Sequence, residues 1–257
     1  MATVRLTVLT SIAGRSSGYL LEAAGRRVLV DCGPGVVAAL GPLGGPESID
    51  AVAVTHAHAD HCLDLEGMGY ALRCPDPQDR QLPLALPRDT AKVASGLDDL
   101  FGVPTNPTLA RPIAQSFAMR PLDLDRPERI ELLPGIALEA FPARHPVQSA
   151  ALRFSVDGAV VTFSSDTTWT EPLVAAAGDA SLLVCEATYL ETDQATLERN
   201  GHLTARMAGR LAGEAGSRRL LLCHLSYAED APRALADAGE TYTGPIEAAS
   251  PGLTLEV

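Results

Sequence analysis

Ala51-Val52-Ala53-Val54-Thr55-His56-Ala57-His58-Ala59-Asp60-His61 decides how the rest of the chain is read. The apolar run reads as a buried strand, and it empties into three imidazoles and a carboxylate within six residues. Side chains alternate along an extended chain, so His56 and His58 can point at one ion. Asp60 and His61 lie past the turn and can reach a second ion nearby. Imidazole nitrogen and carboxylate oxygen suit zinc, iron or manganese. The competing explanation is a polar loop that happens to be rich in histidine. The chain holds six histidines and half of them fall here, so chance accounts for the cluster poorly.

On the N-terminal side, residues 3–9 alternate polar and apolar as a half-buried strand does. The Gly/Ser-rich turn 13–18 leads into a strand from Tyr19, and Gly25-Arg26 turns the chain into Arg27–Asp31. This meander closes on Asp31-Cys32-Gly33-Pro34-Gly35, whose glycines permit a tight turn. A two-turn helix around Val36–Leu40 precedes the strand that delivers His56. On the C-terminal side, 63–72 carries apolar residues at helical spacing, Leu84–Leu86 reads as a short strand and Asp89–Phe101 as a helix. Residues 102–128 hold five prolines and little periodicity, and are expected to form a substrate-specific lid.

The second half repeats this logic. Strands are expected near 129–133 and 136–141, the latter ending at Ala143-Arg144-His145. Ala151–Val156 and Ala159–Phe163 form a hairpin through Asp157-Gly158, and the second strand ends in Ser164-Ser165-Asp166. A helix over Glu171–Ala177 leads to the strand Ser181–Cys185 and then Glu186. Thr204–Ala215 reads as a helix, Arg219–Cys223 as a strand ending at His224, and Ala231–Ala238 as a last helix before two short strands. Polar residues gather where strands end. No linker splits the 257 residues, so one domain over 1–257 is expected, an α/β chain with two sheets stacked face to face and helices outside.

Composition narrows the partners. Hydrophobic content of 46% and charged content of 20% are those of a packed globular protein. The formal net charge is −12, and two divalent cations would leave it acidic. Long polyanions need clustered Lys and Arg, which counts against nucleic acid. Five cysteines without a C-x-x-C pair argue for a reducing compartment. Met1–Leu6 lacks a basic stretch followed by an apolar one, and no apolar run approaches a membrane span, so a cytoplasmic protein is expected.

His56-x-His58-x-Asp60-His61, a lone His145, Asp166 after a strand and His224 after another together resemble the metallo-β-lactamase superfamily. The resemblance spans nearly the whole chain. It implies a four-layer αββα sandwich of two mixed sheets with the site at one edge. It places His56, His58 and His145 on one metal, Asp60, His61 and His224 on the other, and Asp166 across both. Two such cations, expected to be zinc with manganese or iron as alternatives, lower the pKa of a shared water and stabilise charge on the attacked centre. Asp60 then counts in the catalytic set as well as among the ligands.

Glu186-Ala187-Thr188-Tyr189, followed by Gly201-His202-Leu203-Thr204, looks like the ribonuclease Z branch. There a glutamate orients a histidine that protonates the leaving oxygen, so Glu186 and His202 take those catalytic roles here. The departures matter. The long basic arm usual between the third-motif histidine and the bridging aspartate has no room, since His145 and Asp166 are 21 positions apart, and the glycine usual before that aspartate is Ser165. His145-Pro-Val-Gln-Ser-Ala-Ala-Leu-Arg-Phe looks like small-molecule phosphodiesterases of the same branch. The expected function is therefore a dinuclear metal-dependent hydrolase of a phosphodiester or related small ester. Ribonuclease Z-type tRNA 3′ cleavage, lactone or thioester hydrolysis and a di-iron redox enzyme stand as alternatives. The expected partner is a small ester rather than nucleic acid or a membrane, and a homodimer is left open.

Overall fold

The computed structural model describes residues 4–126 and 128–257; Thr3, where the first strand was expected to begin, lies outside them. The first half runs β1 (Arg5–Ile12), β2 (Ser16–Ala23), β3 (Arg26–Val30), α1 (Val36–Leu40) and β4 (Ala51–Ala53). It continues through α2 (Ala59–Cys62), α3 (Leu65–Ala71), β5 (Leu82–Pro87), α4 (Arg88–Phe101), α5 (Pro112–Ser116) and β6 (Phe117–Leu122). The second half runs β7 (Arg129–Leu133), β8 (Ile136–Ala143), β9 (Ser149–Val156), β10 (Ala159–Phe163), α6 (Glu171–Ala177) and β11 (Leu182–Glu186). Then come α7 (Gln194–Asn200), α8 (Ala205–Glu214), β12 (Leu220–Cys223), α9 (Ala231–Gly239), β13 (Ile246–Ala248) and β14 (Thr254–Glu256).

Two seven-stranded mixed sheets result, in the orders β14-β1-β2-β3-β4-β5-β6 and β13-β12-β11-β10-β9-β8-β7. The period-two patterning explains why they stack. In β3, Val28 and Val30 enter the core shared by the sheets while Leu29 faces the helices; in β11, Leu182 and Val184 face inward and Leu183 and Cys185 outward. Phe154, Leu138, Leu21 and Leu6 meet in the shared core with almost no exposure. Each such side chain stabilises the fold by roughly 1.5–3 kcal/mol on burial. Helix starts are set by side chains: Thr170 caps α6, Asp193 caps α7 and Thr204 caps α8, each worth about 1 kcal/mol. The four layers are those expected from the sequence.

Two local readings need correction. Within the segment 102–128, expected as a lid, residues 112–122 supply frame instead: α5 and the edge strand β6, which pairs in parallel with β5 over six residues. Its signal was weak because α5 is held by a tertiary cap, the Asp98 carboxylate from α4 accepting from the amides of Ile113 (2.8 Å) and Ala114 (2.9 Å). Pro121 is tolerated because β6 is an edge. Likewise Asp60 and His61, placed in a loop from the sequence, sit on the four-residue helix α2. Among the described residues no helix is long and apolar enough to cross a membrane.

The topology creates one functional edge. β3 and β4 run parallel, as do β10, β11 and β12, so their C-terminal ends emerge together, where open α/β sheets place their sites. β8, antiparallel to β9 as β10 is, ends at that edge too. His56 forms an isolated bridge with Ser149, and the Ala150 amide donates to Thr55 O at 3.0 Å, joining the two sheets there.

Candidate metal centre

Every predicted ligand comes to this edge. His56, His58, His145 and Asp166 present ligand atoms all within 4.8 Å of one another, and Asp60, His61 and His224 form a second such group. Asp166 reaches both. Its Oδ2 lies 3.7 Å from His56 Nε2 and 3.4 Å from His224 Nε2, and its Oδ1 3.5 Å from His61 Nε2. His56, His61, Asp166 and His224 are buried, whereas His58, Asp60, His145 and His202 are half-buried and form the side open to a substrate. The cleft behind, among Asp31, Thr55, His61, Asp166 and His224, has only about 20 Å³, room for one water.

Hydrogen bonds behind the rings fix which nitrogens face inward. His61 Nδ1 donates to Asp31 Oδ2 at 2.7 Å, which turns its Nε2 towards the other ligand candidates. Thr55 Oγ1 donates to the same oxygen at 3.1 Å and accepts from His56 Nδ1 at 3.1 Å. His145 Nδ1 donates to Gly201 O at 2.9 Å, and its Nε2 lies 3.0 Å from His58 Nδ1. His56 Nε2 is buried with no hydrogen-bond partner, a state native structures rarely leave unexplained. Lone pairs converging from rings tethered behind, one orphaned, are what a cation requires. The residues therefore fit a metal, by their own arrangement.

In the metal-free site the charges lean on one another: burial would lower His61, but Asp166 and Asp31 outweigh it and lift the imidazole well above its ordinary range. Burial, reinforced by the neighbouring His61, pushes His56 well below its ordinary range, keeping it a neutral donor. Burial would raise Asp166, but His224 and His61 outweigh it and hold the carboxylate well below its usual range. For His202 burial works downward, and the Glu186 carboxylate overrides it, lifting the imidazole to about 9.

The backbone shows how much the site demands. Asp31, Ser165 and His224 all adopt left-handed φ values (59°, 59° and 55°) at strand ends, a costly conformation for residues with a Cβ and one that clusters at functional sites. Ser165 stands where the family usually has glycine; its hydroxyl lies 2.7 Å from Ser149 Oγ. Gly33 is needed for space rather than for its turn, because a Cβ there would sit 1.9 Å from the Asp60 carbonyl oxygen.

Glu186 and His202, chosen as an acid pair, do meet: His202 Nδ1 donates to Glu186 Oε1 at 3.0 Å. His202 also lies close enough to Asp166 and His224 to join them around a cation. The sequence reading missed Asp31, taking it for part of a turn. Its signal was present, since Val28-Leu29-Val30-Asp31 repeats the apolar-run-then-acid pattern that marked Asp166 and Glu186.

A two-sheet αββα sandwich whose strand ends gather histidines and aspartates defines a metal-dependent hydrolase of the metallo-β-lactamase fold. Residues 26–225 match the family described as the beta-lactamase superfamily domain, and the chain belongs to that family, in the ribonuclease Z-like branch. A ribonuclease Z from Myxococcus xanthus is 30% identical over all of this chain and 99% of its own. Among solved structures, the metallo-β-lactamase fold protein YhfI from Bacillus subtilis matches all of both chains with a TM-score of 0.83 at 22% identity. A diphosphatase from the PhnP family matches 100% of this chain and 98% of its own with a TM-score of 0.72 at 18% identity.

Proposed function

We propose that this protein hydrolyses a small phosphodiester or related ester using two divalent cations, with zinc the first choice. His56, His58 and His145 would hold one, Asp60, His61 and His224 the other, and Asp166 would serve both. The observation that carries this is the reach of one buried carboxylate to imidazoles of both groups. The cations would supply Lewis acidity and a water of lowered pKa. The chain's own task is then orientation and proton delivery. Glu186 holds His202 Nδ1, leaving Nε2 to give its proton to the leaving oxygen. Five free thiols fit a reducing compartment, and we place the protein in the cytoplasm.

Two measurements test the proposal. Elemental analysis of protein purified without chelator should find close to two equivalents of zinc, iron or manganese per chain. Finding none, even after reconstitution, would end the metallohydrolase reading. A panel of phosphodiesters, lactones and thioesters should then show the best kcat/KM on a phosphodiester; a preference for a lactone or thioester would move the substrate class while leaving the site intact.

The ribonuclease Z relative supports a second reading, cleavage of precursor tRNA. Charge argues against it: the chain carries −12, and the 21-position interval between His145 and Asp166 is spent on the hairpin of β9 and β10. Binding to tRNA should be weak and should fall steeply between low and physiological salt. Tight binding of precursor tRNA at physiological salt, with trimming of its 3′ end, would establish the ribonuclease reading instead.

A further inference from the structure

We infer that Thr188 is a positioning residue through which the single carboxylate of Glu186 sets two histidines, the proton donor His202 and the ligand His224. The inference rests on His224 being a metal ligand, as proposed above. Thr188 is buried, and its hydroxyl lies 2.6 Å from Glu186 Oε2, 3.0 Å from His224 Nδ1 and 3.3 Å from His202 Nδ1. A carboxylate only accepts, so the short contact uses the threonine's one proton. What the hydroxyl offers His224 is then a lone pair, and His224 Nδ1 must donate to it. With a proton held on Nδ1, Nε2 is the nitrogen left to meet a cation, and it lies 3.4 Å from both Asp60 Oδ2 and Asp166 Oδ2.

The same device stands on the opposite sheet. Asp31 holds His61 directly and His56 through Thr55, whose hydroxyl also donates to the acid and accepts from the ring. Glu186 holds His202 directly and His224 through Thr188. On the first sheet both histidines so held are ligand candidates. On the second, one carboxylate serves both the proton donor and a ligand candidate. Oε1 accepts from His202 Nδ1 at 3.0 Å and from the Thr167 amide, while Oε2 accepts from the Thr188 hydroxyl and lies 3.2 Å from His202 Nδ1 as well.

Thr188 is fixed by its backbone independently of its hydroxyl. The amides on either side of it bond to Cys223 O (2.9 Å) and Leu203 O (3.1 Å), and Ser226 Oγ donates to its carbonyl at 2.7 Å. Replacing the hydroxyl by a methyl in Thr188→Val therefore leaves the clamp in place and removes only the lone pair and the proton.

The test uses the full chain as wild type, Thr188→Val, Thr188→Ser and, as ligand control, His224→Ala. In calorimetric titration of metal-free protein with zinc, Thr188→Val should bind one of two equivalents about 10–100-fold more weakly, the usual loss when an orienting partner of a ligand is removed. Thr188→Ser should restore it. In zinc-loaded protein labelled with ¹⁵N at histidine, the His224 Nδ1–H should persist in wild type and Thr188→Ser and be lost to solvent exchange in Thr188→Val. Where valine does not fold, Thr188→Ala gives the same comparison with less bulk. Wild-type zinc affinity and a retained Nδ1–H without the hydroxyl would overturn the relay, as would a serine variant as weak as valine. Those results beside a His224→Ala that loses one zinc overturn the Thr188 relay alone; a His224→Ala that binds two zinc ions with wild-type affinity overturns the ligand assignment itself, and the relay with it.

Discussion

Asp166→Ala is expected to lower turnover of a verified substrate by three orders of magnitude or more while the protein stays folded. Asp166 is the carboxylate within reach of both candidate groups, at 3.4–3.7 Å from the inward nitrogens of His56, His61 and His224. Two cations acting together stabilise several kcal/mol of developing charge. Losing about 4 kcal/mol of that corresponds to roughly a thousandfold in rate. Asp166 is not part of the apolar core between the sheets, and the contact of Ser149 Oγ with its carbonyl survives the change. Stability should respond chiefly through the metal. Zinc added to wild type should raise the melting temperature by mass action, and the variant should lose most of that rise.

A pH arm follows from the same residue. In the metal-free protein the folded carboxyl is held below its ordinary value, with His224 and His61 prevailing over burial. Its contribution is therefore present above the unfolded pKa of about 4 and lost as pH falls through the lower folded value. The stability gap between wild type and Asp166→Ala should close towards low pH. A variant that keeps most of its turnover would mean that the two groups do not depend on Asp166.

Much of this was legible because the fold's demands are local in sequence. The sheets announce themselves by short apolar runs, as in Val28-Leu29-Val30, and the candidate site announces itself because histidines and acids stand where such runs end. Asp157-Gly158 placed the hairpin of β9 and β10, and the two glycyl-sized turns of the first half placed β1 to β3. Other features depended on partners far along the chain. α5 exists because Asp98 supplies its cap from another helix, and no residue within α5 records that. Gly33 reads as a turn glycine until Asp60 is seen pressed against it. α7 was missed although Asp193 at its start and Gly201 in the left-handed conformation at its end are ordinary capping signals. Asp31 was missed for a different reason: its role is to a histidine 30 positions away, and one acid at a strand end looks like any other until its partner is placed.

His202→Ala is expected to slow hydrolysis by about 10²–10⁴-fold, the usual contribution of a positioned acid, without releasing metal. His202 is tied to Glu186 by Nδ1 and lifted to about 9, since the glutamate's charge overcomes burial. Near neutrality it therefore carries a proton on Nε2 that it can deliver, though cations bound nearby would draw its pKa down. The defect should shrink for a nitrophenyl ester, whose leaving oxygen is stable without a proton. It should be largest for an alkyl leaving group, which departs poorly as an alkoxide. In the wild type, turnover of the alkyl ester should fall on the basic side as His202 deprotonates, while the nitrophenyl ester should lack that limb. Glu186→Gln removes the charge that raises His202, so it should move the limb to lower pH and give a smaller loss than His202→Ala. Equal slowing of good and poor leaving groups would make His202 a substrate-binding residue instead. Loss of metal would place it among the ligands, where its proximity to Asp166 and His224 already permits it to stand.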